Sequence, residues 1–79
     1  MKKVKVFSTK SCTYCVVLKQ FLNDKKIEFE DIDVAENEEA RKEMIEKSGQ
    51  MGVPVIEIDN DIVIGFDKVK ILELLGIKE

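Results

Sequence analysis

At 79 residues the chain is sized for one domain, spanning 1–79, near the lower end of what folds unaided; such a chain buries roughly 60% of its unfolded surface. Apolar residues, at 44%, suffice for a core, and a formal charge of −3 argues against a nucleic-acid binder, which carries a basic patch. No apolar run approaches the roughly 20 residues of a membrane-spanning helix, and a strand-like run begins almost at once, which leaves no room for a signal peptide.

Lys3–Ser8 alternates charged and apolar residues and reads as a strand, with Lys2, Lys3 and Lys5 on its solvent side. Ser8-Thr9-Lys10-Ser11 follows as a polar turn whose hydroxyls suit helix capping. From Cys12 to about Lys25 the apolar residues Tyr14, Val17, Leu18, Phe21 and Leu22 recur at helical spacing, one face of an amphipathic helix that Asn23-Asp24-Lys25-Lys26 breaks. Phe29, Ile32 and Val34 mark a second strand, Glu28–Val34. Asn37–Lys47 is helical in pattern, with acids in its first turn, Gly49 as its cap and a thin apolar side of Ala40, Met44 and Ile45. Val55–Ile58 and Ile62–Ile64 are β-branched runs around a tight turn at Asp59-Asn60-Asp61. Asp67 is placed to cap a last helix bearing Val69, Ile71, Leu72 and Leu75, with Gly76 and Ile77 as a Schellman stop.

The order β-α-β-α-β-β-α makes the first two strands parallel through a right-handed crossover and the last two antiparallel through their tight turn. An α/β mixed four-stranded sheet with helices on both faces follows, the architecture of the thioredoxin fold. Phe7, Phe21 and Phe29 are expected in its core. Met51 beside the Val-Pro loop reads equally as an apolar lip or as plain surface, and the acidic run Glu36–Glu43 reads as a solvated helix.

Cys12-Thr13-Tyr14-Cys15 contains both cysteines of the chain, at a strand-to-helix junction. A disulfide across so short a loop does little for stability, so the pair fits redox chemistry in a reducing compartment, the cytoplasm. The free N–H groups and partial charge of a helix start favour a thiolate by about 0.3–1 kcal/mol, and up to about 2 kcal/mol where partly buried. Cys12, at the exposed end, is then the nucleophile, and Cys15, inside the first turn, the resolving thiol. Lys10 either adds to the field at the sulfur or is simply solvated. Two readings of other classes stand beside this one: a metal or cluster carrier that dimerises through the cysteines, since one chain with two cysteines and no histidine cannot complete a zinc shell, and a binding module that has kept the fold without the chemistry.

Taken together, Cys12-Thr13-Tyr14-Cys15, the run Gly49-Gln50-Met51-Gly52-Val53-Pro54 and Gly65-Phe66-Asp67 resemble glutaredoxins over essentially the whole chain, nearest the short YruB-type proteins, with NrdH-redoxin features in Gly65-Phe66. The resemblance implies a small monomeric thiol–disulfide oxidoreductase acting on protein disulfides or glutathione adducts, with no bound cofactor or metal. Its electrons would come from glutathione or, in NrdH-like fashion, from thioredoxin reductase for use by ribonucleotide reductase. It further implies a cis Val53-Pro54 bond, with the Val53 backbone pairing to an extended substrate. Lys10 and Gln50 match residues that hold the glycine carboxylate of glutathione, Tyr14 lines its groove, and Asp67 lies by its α-carboxylate. Against the family's pattern, Thr13 stands where proline is usual, adding an N–H and a hydroxyl beside the sulfur. Gly52 stands where threonine is usual. Lys68 stands where a second acid is usual, and would repel the substrate amine.

Overall fold

The computed structural model describes residues 3–77; the expected role of Lys2 lies outside them. Its elements are β1 (Val4–Ser8), α1 (Thr13–Asp24), β2 (Glu30–Asp33), α2 (Glu38–Ser48), β3 (Val55–Ile58), β4 (Asp61–Ile64) and α3 (Lys68–Leu75). They form one sheet in the order β2-β1-β3-β4, with β1 parallel to β2 and the other pairs antiparallel. This is the expected thioredoxin-fold sheet.

Alternation along the central strands decides which residue faces which helices. Val4, Val6, Ile56, Ile58 and Val63 pack with Leu18 and Leu22 of α1 and Ile71 of α3. On the opposite face Phe7 and Val55 pack with Ala40 and Met44 of α2, together with Val34. Phe7 and Val6 are both fully buried although adjacent, because helices cover the sheet on both sides. Phe21 and Phe29 are only partly buried, at the margin of the first cluster.

The structure corrects several local expectations. In α1 the buried stripe is Cys15, Leu18 and Leu22, while Tyr14 and Val17 are exposed. Cysteine behaves as a small hydrophobe, and its place in the core turns the helix so that Tyr14 and Val17 leave the packed face. In α3, Ile71 and Leu72 carry the burial and Val69 lies off that stripe, in solvent. Strand β2 is shorter than Glu28–Val34 because its pairing with β1 starts at Lys5↔Glu30; Phe29 packs against the core instead. Strand β1 starts at Val4, and Lys3 instead exchanges hydrogen bonds with Asp59 at the hairpin. The hairpin loop is Asp59-Asn60, since Asp61 already pairs with Ile58.

Helix ends follow local chemistry. Asn37 caps α2 by accepting the Ala40 N–H, and Asp67 caps α3 by accepting the Lys70 N–H. Gly49 and Gly76 take the left-handed conformation after α2 and α3. The Ile77→Leu72 and Gly76→Glu73 main-chain bonds complete the Schellman stop. Helix α1 ends in the same way without glycine: Lys26 adopts φ 58°, its N–H reaches Asn23, and the Ile27 N–H reaches Leu22.

The thin apolar side of α2 is supplemented by charge. Lys47 Nζ lies 2.9 Å from Glu43 and 2.7 Å from Glu57 of β3, with Lys5 of β1 3.8 Å from Glu43. The bond from Lys47 holds the Glu43 carboxyl below its ordinary value, helped by the charge of Lys5, and the bonds to Glu57 and Glu43 raise Lys47. A depressed carboxyl adds stability that is present above its unfolded pKa and lost as pH falls through the folded one. A raised lysine adds stability that is present below its unfolded pKa and lost as pH rises through the folded one. Stability is therefore expected to decline as the pH drops below about 4.5, and Lys47→Met should weaken that decline while lowering stability at pH 7. Urea unfolding of both proteins at pH 7 and pH 3 checks this. Equal losses on acidification would remove the network as their source.

Candidate active site

Three segments converge at one end of the sheet by register. Phe7 of β1 lies opposite Val55 of β3, and Val55 lies opposite Ile64 of β4. One residue further along, Ser8, Pro54 and Gly65 mark the same edge, and the Gly65 N–H donates to the Pro54 carbonyl at 2.8 Å. The turn that follows β1 carries Cys12, the cis Val53-Pro54 bond opens β3, and Gly65-Phe66-Asp67 leads from β4 into α3. Gly65 has φ 79°, a conformation that L side chains disfavour and that this change of direction requires.

Cys12 is the N-cap of α1. Its backbone is extended (φ −90°, ψ 111°), and its Sγ accepts the Cys15 N–H at 3.1 Å. The sulfur occupies the place in which serine or aspartate oxygen usually satisfies a helix N–H. Cys12 is half-buried and Cys15 fully buried, and the two are joined in a disulfide with Cα atoms 5.2 Å apart. The order of access is therefore the one that nucleophile and resolving thiol require. Thr13 and Tyr14 between them are exposed, Tyr14 at 69%.

The polar neighbours have partners within the chain. Lys10 Nζ is bonded to Glu36 at 3.0 Å, a surface pair beside the site rather than a contact with sulfur. Ser8 does not cap α1. It is a buried strand residue whose hydroxyl donates to Asp31 of β2 at 2.9 Å, and Lys19 of α1 binds the other oxygen of Asp31 at 2.9 Å. This tether between α1 and the two strands beneath it had no signal in the sequence beyond three ordinary polar residues. Gln50 turns its carboxamide onto Gly52, and Met51 stands 72% exposed next to it. Val53 is half-buried and Pro54 buried.

At the start of α3, Phe66 packs against Phe21 in a tilted arrangement, with centroids 5.5 Å apart and ring planes at 59°, and Lys68 Nζ lies 5.8 Å over the Phe21 ring. An ammonium at this distance is attracted by the ring face. The Asp67 carboxylate is engaged as the cap of α3. Among the described residues no group of three or more His, Cys, Asp or Glu side chains is placed to hold a metal ion. No helix there is long and apolar enough to cross a membrane.

Comparison with known proteins agrees with the geometry. Residues 4–63 match the family model for glutaredoxin. A glutaredoxin-like 8.6 kDa protein of Clostridium pasteurianum is 43% identical over 72 residues, 91% of this chain and 96% of the relative. Glutaredoxin 3 of Escherichia coli is 33% identical over 76 residues, covering 96% and 92% of the two chains. Among solved structures, a mutant of the thioredoxin-like protein BC3987 superposes with a TM-score of 0.91 at 32% identity, over 99% of this chain and 100% of that one.

A hydrogen bond donated to the sulfur and the positive end of α1 both favour the ionised form of Cys12 once the disulfide is reduced. Alkylation of the reduced protein across a pH series should reach its half-maximal rate below about pH 8.5, the ordinary thiol value. Cys12→Ser should abolish that early phase and leave only slow labelling of the buried Cys15.

Proposed function

The chain belongs to the glutaredoxin family and is a thiol–disulfide oxidoreductase, and from that premise we propose that it reduces protein disulfides and glutathione-mixed disulfides by a dithiol mechanism. The observation that carries the reading is the pairing of a half-buried Cys12, whose Sγ accepts the Cys15 N–H as the cap of α1, with a fully buried Cys15.

The Cys12 thiolate attacks one sulfur of the substrate disulfide, forming a mixed disulfide and releasing the other sulfur as a thiolate that takes up a proton. Cys15 then loses its proton and attacks Cys12 Sγ. The second substrate thiol leaves, and Cys12 and Cys15 end as a disulfide. Two electrons have passed to the substrate, and an external dithiol or a pair of glutathione molecules returns them. In this reading the Val53 backbone pairs with an extended substrate next to the sulfur, as a short added strand. Tyr14, Phe66 and the exposed Met51 supply apolar contact around it. The protein works as a monomer in a reducing compartment, the cytoplasm, where such a pair cycles rather than staying oxidised.

A second reading of the electron source has its own support. The residues matched to glutathione contacts are already engaged within the chain: Lys10 with Glu36, Gln50 with Gly52, and Asp67 with the α3 N-terminus. Lys68 brings a positive charge to the start of α3, where the substrate amine would lie. These favour an NrdH-like route, in which thioredoxin reductase supplies the electrons and ribonucleotide reductase is among the acceptors.

Turnover of a protein disulfide in the presence of NADPH separates the two donors. Glutathione with glutathione reductase in one arm, and thioredoxin reductase in the other, should sustain different rates, with the thioredoxin reductase arm faster if the second reading holds. In both arms Cys12→Ser should reduce turnover to background. Cys15→Ser should stop at a mixed disulfide on Cys12 that mass spectrometry detects. A Cys12→Ser protein that still turns over would overturn the assignment of roles.

A further inference from the structure

The loop between α2 and β3 is organised by one side chain. Gln50 Oε1 accepts the Gly52 N–H at 2.6 Å, and Gln50 Nε2 donates to the Gly52 carbonyl at 3.0 Å. A single carboxamide thereby satisfies both main-chain polar groups of one residue, a pairing that a neighbouring strand would otherwise supply. Ser48 anchors the other end of the loop, its hydroxyl 2.6 Å from the Met44 carbonyl and 3.0 Å from that of Gln50.

This grip depends on the missing side chain at position 52. A Cβ there would come within 2.8 Å of Gln50 Oε1, closer than such atoms sit. Gly52, unlike Gly49, Gly65 and Gly76, does not have a positive φ. Its value to the fold is therefore the space it leaves for the carboxamide rather than its backbone freedom. Any larger residue would push Gln50 away.

We propose that Gln50 is a positioning residue: by closing off the polar groups of Gly52 it fixes the approach to the cis Val53-Pro54 bond and leaves Val53 as the place where an extended substrate pairs. Gln50 then acts on substrate through Gly52 and Val53 rather than by direct contact. The inference rests on the reading that protein segments dock beside Cys12, and it deepens that reading by naming what sets their register. It also gives Gly52 a reason of its own, as the partner that permits the grip.

The test compares two disulfides that differ in whether they carry a backbone. One is a peptide disulfide with extended residues flanking the cysteine, and the other is 2-hydroxyethyl disulfide, which has no main chain to pair. In Gln50→Ala the ratio of kcat/KM for the peptide to that for the small disulfide should fall by about three- to tenfold, as expected for one or two neutral hydrogen bonds, with the change in KM rather than kcat. Gly52→Ala, which keeps Gln50 but displaces it, should give a similar fall. The double variant should be no worse than either single one, because both break the same contact. Gln50→Glu, which keeps the acceptor but loses the donor, should fall between wild type and Gln50→Ala. The alkylation profile of Cys12 should stay where it is in the wild type. Equal slowing of both substrates, or additive losses in the double variant, would overturn the positioning role. A wild-type protein that reduces neither disulfide would instead overturn the exchange reading itself.

Discussion

The hydrogen bond from the Cys15 N–H to the Cys12 sulfur is the constraint around which this molecule is arranged. A helix cap bonds the N–H three residues further on, and two cysteines separated by two residues have that same spacing. One geometry therefore does two things: it closes the disulfide when the pair is oxidised, and it points a donor at the sulfur when the pair is reduced. The cap contributes about 1 kcal/mol to an ordinary helix. Here the atom that accepts the bond is also the atom that reacts, so the stability of the first turn of α1 and the reactivity of the thiol are coupled.

That coupling is useful only if α1 is held at the end of the sheet, and the packing provides this in layers. Leu18 and Leu22 lock the helix to Val4, Val6, Ile56 and Ile58, and Cys15 extends the same buried stripe toward the site. The Ser8–Asp31–Lys19 chain of hydrogen bonds fastens the flank of α1 to β1 and β2. The antiparallel registers of β1 with β3 and of β3 with β4 then bring Pro54 and Gly65 to the level at which β1 gives way to the cysteine turn. A slip of one residue in either pairing would move every side chain to the other face and take the Val53 backbone out of line.

Much of this was legible in the residues. Regular apolar spacing, the cap Asp67, the glycine stops and the β-branched hairpin placed the elements to within a residue or two, except at the first part of β2, where Phe29 is drawn into the core; that Asn37 caps α2 rather than opening it shows only in the structure. The errors share a cause. Tyr14 and Val17 have the spacing of an apolar helix face and Val69 the hydrophobicity of its neighbours, but burial is decided by what lies opposite, and Cys15 and Ile71 hold the inner positions. The end of α1 at Lys26 carries no glycine, so the left-handed turn there shows only in three dimensions. Lys10 and Ser8 pair with carboxylates that their positions in sequence do not reveal: Glu36 is 26 residues from Lys10, and Asp31 is 23 from Ser8.

The sequence by itself determined the chemistry and the order of the elements, because the C-x-x-C spacing, the apolar periods and the capping residues act through neighbours a few bonds away. Tertiary structure alone decided which polar side chains meet a distant partner and which face each helix turns inward. Those outcomes depend on contacts between residues far apart in the chain, where burial and a competing hydrogen-bond partner outweigh local preference.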